Sequence, residues 1–301
     1  MYNYKDGNYK LKKCEGSYAH LIKINSEEEM KEKIEFAKQI YSIKIKETGK
    51  NMDLSILKNH EFPNLKVLNL KINEINDVSF LSESNFENLE ELDLAKNPLG
   101  NNIINILEKA NLPNLNFLNL FKTEITSIRI FEVIKKYKKL KLFYIGENKF
   151  EINEIECNKK IFKFPKTMEE FGITGNFNGN ADFVKRLGIE NLKIFYISRN
   201  KLSNLACLKN IIFIRLGEFW AVSNYITDIK EIMNIQGKEF LWRINLKENK
   251  INNFNELFFI INNFPNLKEL ILTGNNISIN DAENMEKRIK EKFGFDLKII
   301  V

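Results

Sequence analysis

Ten copies of the pattern L-x-x-L-x-L-x-x-N-x-L, or close variants of it, follow one another through this chain, and no other feature constrains its fold as tightly. The clearest are LKVLNLKINEI from Leu65, LEELDLAKNPL from Leu89, LKIFYISRNKL from Leu192, LWRINLKENKI from Leu241 and LKELILTGNNI from Leu267. Weaker copies start at Ile40, Leu115, Leu140, Met168 and Leu216. Consecutive starts lie 25, 24, 26, 25, 28, 24, 24, 25 and 26 residues apart, a period expected of stacked supersecondary units. At the eighth copy IIFIRL from Ile211 also reads as a strand, but only a start at Leu216 puts Phe219, Ala221, Asn224 and Ile226 in phase.

Within each copy the x-L-x-L-x stretch alternates apolar and polar residues, the signature of a strand with one buried side. Leu68 and Leu70 are expected to face a core, with Val67, Asn69 and Lys71 facing out. A lone unit of this size cannot bury its apolar side, so neighbours must stack and share one continuous core. At the ninth place an Asn recurs (Asn73, Asn97, Asn148, Asn176, Asn200, Asn224, Asn249, Asn275), whose short amide can satisfy backbone groups where the chain leaves the strand. Thr48 and Thr123 stand in for it and can bond less fully. Lys50 and Asn178 occupy apolar places, which predicts local irregularity at both.

Carried by these copies, the chain resembles the leucine-rich-repeat family over Ile40 to Ile277, in a form intermediate between ribonuclease-inhibitor-like and shorter-repeat members. The resemblance implies an α/β, right-handed solenoid: a horseshoe with a parallel concave sheet of about twelve strands and a mixed helical and irregular convex side. SIRIFEVIKKYKKL (127–140) and NFNELFFIINNF (253–264) read as convex helices, whereas SNLACLKNI around Leu205 has room for little more than a turn.

Residues 1–39 read as an N-terminal cap: a hairpin at Asp6-Gly7, a strand from His20 to Ile24, and a helix over 26–38 opened by Ser26 with Glu29. Residues 40–278 hold the ten repeats. Residues 279–301 form a C-terminal cap, a helix opened by Asn280 with Glu283, ended at Gly294 and followed by a closing strand. A repeat array is one structural unit whatever its length, and with only 5 Pro and 13 Gly no linker interrupts it.

Catalytic and metal chemistry lacks residues to carry it. The only histidines, His20 and His60, stand apart from one another and from Cys14, Cys157 and Cys207, and no ligand spacing, phosphate loop or nucleophile elbow occurs. The expectation is therefore no enzyme, no cofactor, no metal and no small-molecule substrate. Three widely spaced cysteines, no apolar leader at the start and no segment suited to a membrane span point to an intracellular, cytoplasmic protein. A formal charge of +6, from 46 basic and 40 acidic residues, is too mild to name a partner.

Aligning the repeats turns the outward strand positions into columns across the concave face. Apolar and aromatic residues gather in the fourth to eighth repeats: Phe117, Phe121, Leu142, Tyr144, Ile194, Tyr196, Trp220 and Val222. Glu170 and Glu218 rim this patch, and Gly172 suggests a dip between the aromatics. A contiguous apolar patch rich in Tyr and Trp marks a contact surface, so the leading expectation is a non-enzymatic scaffold, adaptor or regulatory subunit that grips another protein there. The alternative is a ribonucleoprotein component, since leucine-rich repeats also occur in such particles. It would meet RNA or an acidic partner through the Lys-rich convex run Lys135, Lys136, Lys138, Lys139, Lys159, Lys160 and Lys163. A solvated helix in a Lys-rich composition accounts for that run equally simply, and the interleaved Tyr137, Phe162 and Phe164 fit core positions.

Overall fold

The computed structural model describes residues 20–24, 40–45, 54–58, 60–151, 162–252 and 254–301. The expected Asp6-Gly7 hairpin and helix over 26–38 lie outside these residues, as do Thr48, Lys50, Cys14, Cys157, Lys159 and Lys160.

Twelve strands among the described residues form a single sheet whose spatial order is the chain order. The first two, β1 (His20–Ile24) and β2 (Ile40–Ile45), are the longest. Each later one is three residues: β3 (Val67–Asn69), β4 (Glu91–Asp93), β5 (Phe117–Asn119), β6 (Leu142–Tyr144), β7 (Glu170–Gly172) and β8 (Ile194–Tyr196). Then follow β9 (Glu218–Trp220), β10 (Arg243–Asn245), β11 (Glu269–Ile271) and β12 (Lys298–Ile300). All pair in parallel, and the sequence columns are the structural ones: Leu68 stands beside Leu92, and Tyr196 beside Trp220. Leu68, Leu92 and Leu270 are fully buried, as the alternation demands, and Leu216 is too. In the middle repeats phenylalanine takes the fourth place. Phe143, Phe171 and Phe195 stack at centroid separations of 5.8 and 5.9 Å, with planes only 22° and 5° apart. Their flat rings repeat at nearly the strand spacing, so one ring covers the next and the core continues between repeats.

Two devices turn the chain out of each strand. The eighth position is left-handed in all nine described repeats, at Ile72, Lys96, Lys122, Glu147, Gly175, Arg199, Ser223, Glu248 and Gly274. Only two of these are glycine, so no residue type announced this turn. The left-handed residue precedes the ninth-position Asn, which turns inward and builds a ladder between repeats. Asn97 Oδ1 accepts the N–H groups of Asn73 (3.1 Å) and Ile75 (3.0 Å) of the preceding repeat, while its Nδ2 donates to the carbonyls of Leu70 and Leu94. Asn148, Asn200, Asn224 and Asn249 repeat the arrangement. Thr123 only partly replaces it, its hydroxyl donating to Leu120 O at 2.8 Å. The irregularity expected at Asn178 is a one-residue shortening. Phe177 is buried and its N–H bonds Asn200 Oδ1 at 2.8 Å, the place an eleventh residue takes elsewhere, and Asn178 is left exposed.

The return segments are less helical than their periodicity suggested. Of the first predicted convex helix only α3 (Ile130–Ile134) forms, after the short α1 (Phe80–Glu83) and the longer α2 (Asn102–Lys109). The second breaks into a 3-10 turn at Phe254–Glu256, then α4 (Leu257–Ile260), then a 3-10 turn at Ile261–Asn263. A repeat of about 25 residues leaves too little chain between strands for a longer helix. Helix α5 (Ile279–Phe293) and β12 close the C-terminal end. Its N-cap is Ser278, not Asn280: the Ser278 hydroxyl accepts the Asp281 N–H at 3.1 Å, and Gly294 ends the helix at φ 75°. No helix among the described residues is long and apolar enough to cross a membrane.

Candidate interaction face

The outward face of the sheet is more closed than a column reading suggests. Its central column is largely buried: Asn69, Asp93, Asn119, Tyr144, Tyr196 and Asn245 are each less than a tenth exposed. Asn69, Asp93, Asn119 and Asn245 achieve this locally. Each folds its side-chain oxygen back onto the N–H two residues on, at 3.0 to 3.3 Å. Burial pushes the Asp93 carboxyl up to about 6, against the pull of the Ala95 N–H, Lys71, Asn119 and Lys44.

In the middle repeats the central column is aromatic. Phe117, Tyr144 and Tyr196 form a small second core on the outer side of the sheet, with Leu142, Ile194 and Trp220 packed against it. Tyr144 lies 5.9 Å from Phe117 and 6.4 Å from Tyr196, and Tyr196 lies 5.7 Å from Trp220, centroid to centroid. The dip expected at Gly172 does not exist, because the ring of Tyr144 fills it; Phe121 lies over Gly146 in the same way. Of the ten residues assigned to this face from sequence, Phe117, Tyr144, Tyr196 and Glu170 are therefore base rather than surface. Phe121, Leu142, Ile194, Glu218, Trp220 and Val222 are half-buried and present what the face shows to solvent.

Glu170 does not stand on the rim. It is 6% exposed, its carboxylate accepts the Tyr144 hydroxyl, and the Tyr196 hydroxyl also holds it. Burial raises its pKa most, the two tyrosine hydrogen bonds oppose this, and the charge of Glu218 raises it further. Glu218 stays nearer solvent. It accepts the Trp220 indole N–H at 3.2 Å and faces Arg243 at 3.6 Å across the strand pair. Arg243 is held more closely by Glu269, at 2.6 and 2.7 Å, and its guanidinium covers the Trp242 ring at 4.4 Å.

The Lys-rich run is largely turned on its own chain. Lys136 Nζ donates to the carbonyls of Leu107, Glu108 and Ala110 and so caps the C-terminal end of α2; burial lowers its pKa. Lys138 donates to Lys135 O and Lys139 to Asn114 Oδ1. Lys135 is half-buried and Lys163 exposed. Tyr137, Phe162 and Phe164 are core, the Tyr137 hydroxyl reaching Leu107 O at 2.6 Å. Among the described residues no three His, Cys, Asp or Glu side chains gather as a metal site would require, and Cys207 is a buried thiol pushed up to about 12.

No family model and no curated protein matches the sequence. Solved structures do. An internalin from Listeria monocytogenes superposes with a TM-score of 0.55 at 20% identity, over 86% of this chain and 64% of the internalin, so the chain spans somewhat less than two thirds of that protein. A structure of an octameric complex of latrophilin 3, Unc5D and the leucine-rich-repeat part of FLRT2 gives 0.57 at 18% identity, over 87% of this chain and 76% of the other. A complex of TLR13 with a single-stranded RNA gives 0.56 at 17%, over 81% of this chain and 37% of that one. At such identities the likeness concerns the fold alone, and the fold is the leucine-rich-repeat solenoid.

Proposed function

We propose that this protein is a non-enzymatic interaction scaffold that grips a protein partner on its concave face. One observation carries the reading: Leu142, Ile194, Trp220 and Val222 stay half-exposed on a rigid aromatic base, where polar residues would be cheaper. A flat apolar strip preorganised by packed rings loses little entropy when a partner covers it. Structures with this fold include a multi-protein complex containing FLRT2 and an RNA complex of TLR13, so the fold does not choose the ligand. The protein reading is favoured over RNA because Lys136 commits all three donors to this chain's own carbonyls, and Lys138 and Lys139 each commit one to a neighbouring carbonyl or amide oxygen.

The test is capture of partners from the native cell by the full chain, beside its Ile194→Asp variant and a Lys135→Ala, Lys163→Ala double variant. The reading expects a protein retained by the native chain and by the lysine variant but lost with Ile194→Asp, little affected by salt between 0.1 and 0.5 M. Loss with the lysine pair alone, with steep salt dependence, would replace it with the nucleic-acid reading.

A further inference from the structure

Resting on that reading, we infer that the partner presents a cationic side chain, an arginine or lysine, to the ledge formed by Trp220 and Glu218, with Glu170 behind it. The neighbouring repeat already displays this chemistry within the chain itself. On β10 and β11, the guanidinium of Arg243 lies over the Trp242 ring while Glu269 holds its Nε and Nη2. An indole face and a carboxylate together thus bind an arginine on this very sheet.

One repeat earlier an indole and a carboxylate recur with no cation over the ring. Trp220 is half-buried, and no Lys or Arg among the described residues lies over its ring. Glu218, on the same strand, fixes the indole through its N–H at 3.2 Å. Among the described residues Glu218 pairs with Arg243 alone, at 3.6 Å, and that guanidinium is already bonded at 2.6 Å to Glu269. Two strands away Glu170 stands in the same column, separated only by Ile194, and the two carboxylates repel one another. Glu218 and Glu269 therefore share one arginine, and Glu170 pairs with no Lys or Arg among the described residues, so on a chain whose formal charge is +6 this patch is locally acidic. A guanidinium or ammonium laid on Trp220 would relieve that repulsion, and its methylene stem would lie along Ile194 and Val222. An acidic or purely apolar segment would leave it in place.

The two tryptophans, Trp220 and Trp242, are the only ones in the chain, so their indole N–H signals give a direct readout by NMR of the full-length protein. A Trp220→Phe variant assigns them. The probe is N-acetyl-arginine amide, titrated beside N-acetyl-citrulline amide, which has the same shape and no charge. The inference expects a saturable shift of the Trp220 signal with the arginine probe and binding at least about fivefold weaker with citrulline. Glu218→Gln should weaken the arginine response by a similar factor, while an unmoved Trp242 signal shows the fold intact. Equal responses to the two probes, or an arginine response indifferent to Glu218→Gln, would overturn it. Should Ile194→Asp abolish partner capture while arginine leaves Trp220 unmoved, the concave-face reading stands and this inference falls. Arginine binding without any effect of Ile194→Asp on capture would have the opposite meaning.

Discussion

The ring of Tyr144 lies over Gly172 of the next strand, its Cδ1 only 2.8 Å from where a Cβ on that glycine would stand. The glycine is there for the tyrosine. Its backbone is ordinary strand, so Gly172→Ala adds no backbone strain, yet the methyl must push Tyr144 off Phe117 and away from the Glu170 carboxylate. We expect Gly172→Ala to destabilise the fold by about 1 to 3 kcal/mol by overpacking. In a Tyr144→Ala background the same change should cost almost nothing, a coupling read from a double-mutant cycle of urea melts. Additive costs would show that the two residues do not share this space.

Asn97→Ala should destabilise by about 1 to 3 kcal/mol, because it leaves the Asn73 and Ile75 N–H groups and the Leu70 carbonyl short of partners in a buried turn. Asn101, outside the repeat pattern, also bridges repeats, through Thr126 and Ser127. It is exposed, however, and water can replace its bonds. Asn101→Ala should therefore cost less, and equal melting temperatures would remove the special role of the ninth position.

Asp93 sets a pH dependence. Its carboxyl titrates near 6 in the folded chain against an ordinary 3.8, so the folded state holds the proton more tightly than the unfolded one. Stability should fall as pH rises from about 4 to about 6 and stay reduced above, by up to about 3 kcal/mol from this group. Asp93→Asn keeps the oxygen that caps the Ala95 N–H and matches its neighbours Asn69 and Asn119. The variant should be more stable than the native chain at pH 7 and indistinguishable at pH 3.5. A native advantage at pH 7 would mean that Lys71 and Lys44 outweigh the burial of the charge.

Ile72 is a β-branched residue held at φ 60°, where side chains of its kind are strained. Ile72→Asn should stabilise the array by roughly 0.5 to 1 kcal/mol, since asparagine tolerates this conformation and the position is only half-buried. A loss in chemical denaturation would show that the isoleucine contributes more by packing than it costs in strain.

On the concave face, Trp220→Ala should weaken a protein partner by about 2 kcal/mol with little change in melting temperature, because Trp220 is half-buried at the margin of the aromatic cluster. Tyr196→Ala, though adjacent, should cost stability as well as binding, since Tyr196 is 5% exposed and holds Glu170. Calorimetry of both variants beside their affinities separates the two cases.

The repeat period is enough to read the strand register, the recurring Asn at each turn and the closing helix and strand, because each is set by spacing within one unit, whereas the bonds of that Asn to the preceding repeat are not. Burial on the outer face was not legible, since it depends on what the neighbouring strand places alongside: Phe117 and Tyr144 are surface by alternation and core by contact. The left-handed eighth position has no residue signature either. With Ile, Lys, Arg, Glu and Ser filling seven of its nine places, the conformation is imposed by the ladder on either side and not by the residue. Ser278 is hard to single out as the helix cap because Asn280 with Glu283 offers the same signature two residues on.

The Asn ladder also gives the molecule a mechanical character. Its bonds cross from each repeat to the next, so tension applied at the two chain ends loads them one junction at a time. Stretched from its ends, the solenoid should therefore yield as a series of steps, beginning at a terminus where a unit has a neighbour on one side only. Each step should release one repeat of 24 to 28 residues, roughly 80 to 100 Å of chain. Such a molecule resists as a spring with counted stops, and Thr123, where the amide gives way to a hydroxyl, marks a softer junction inside the array.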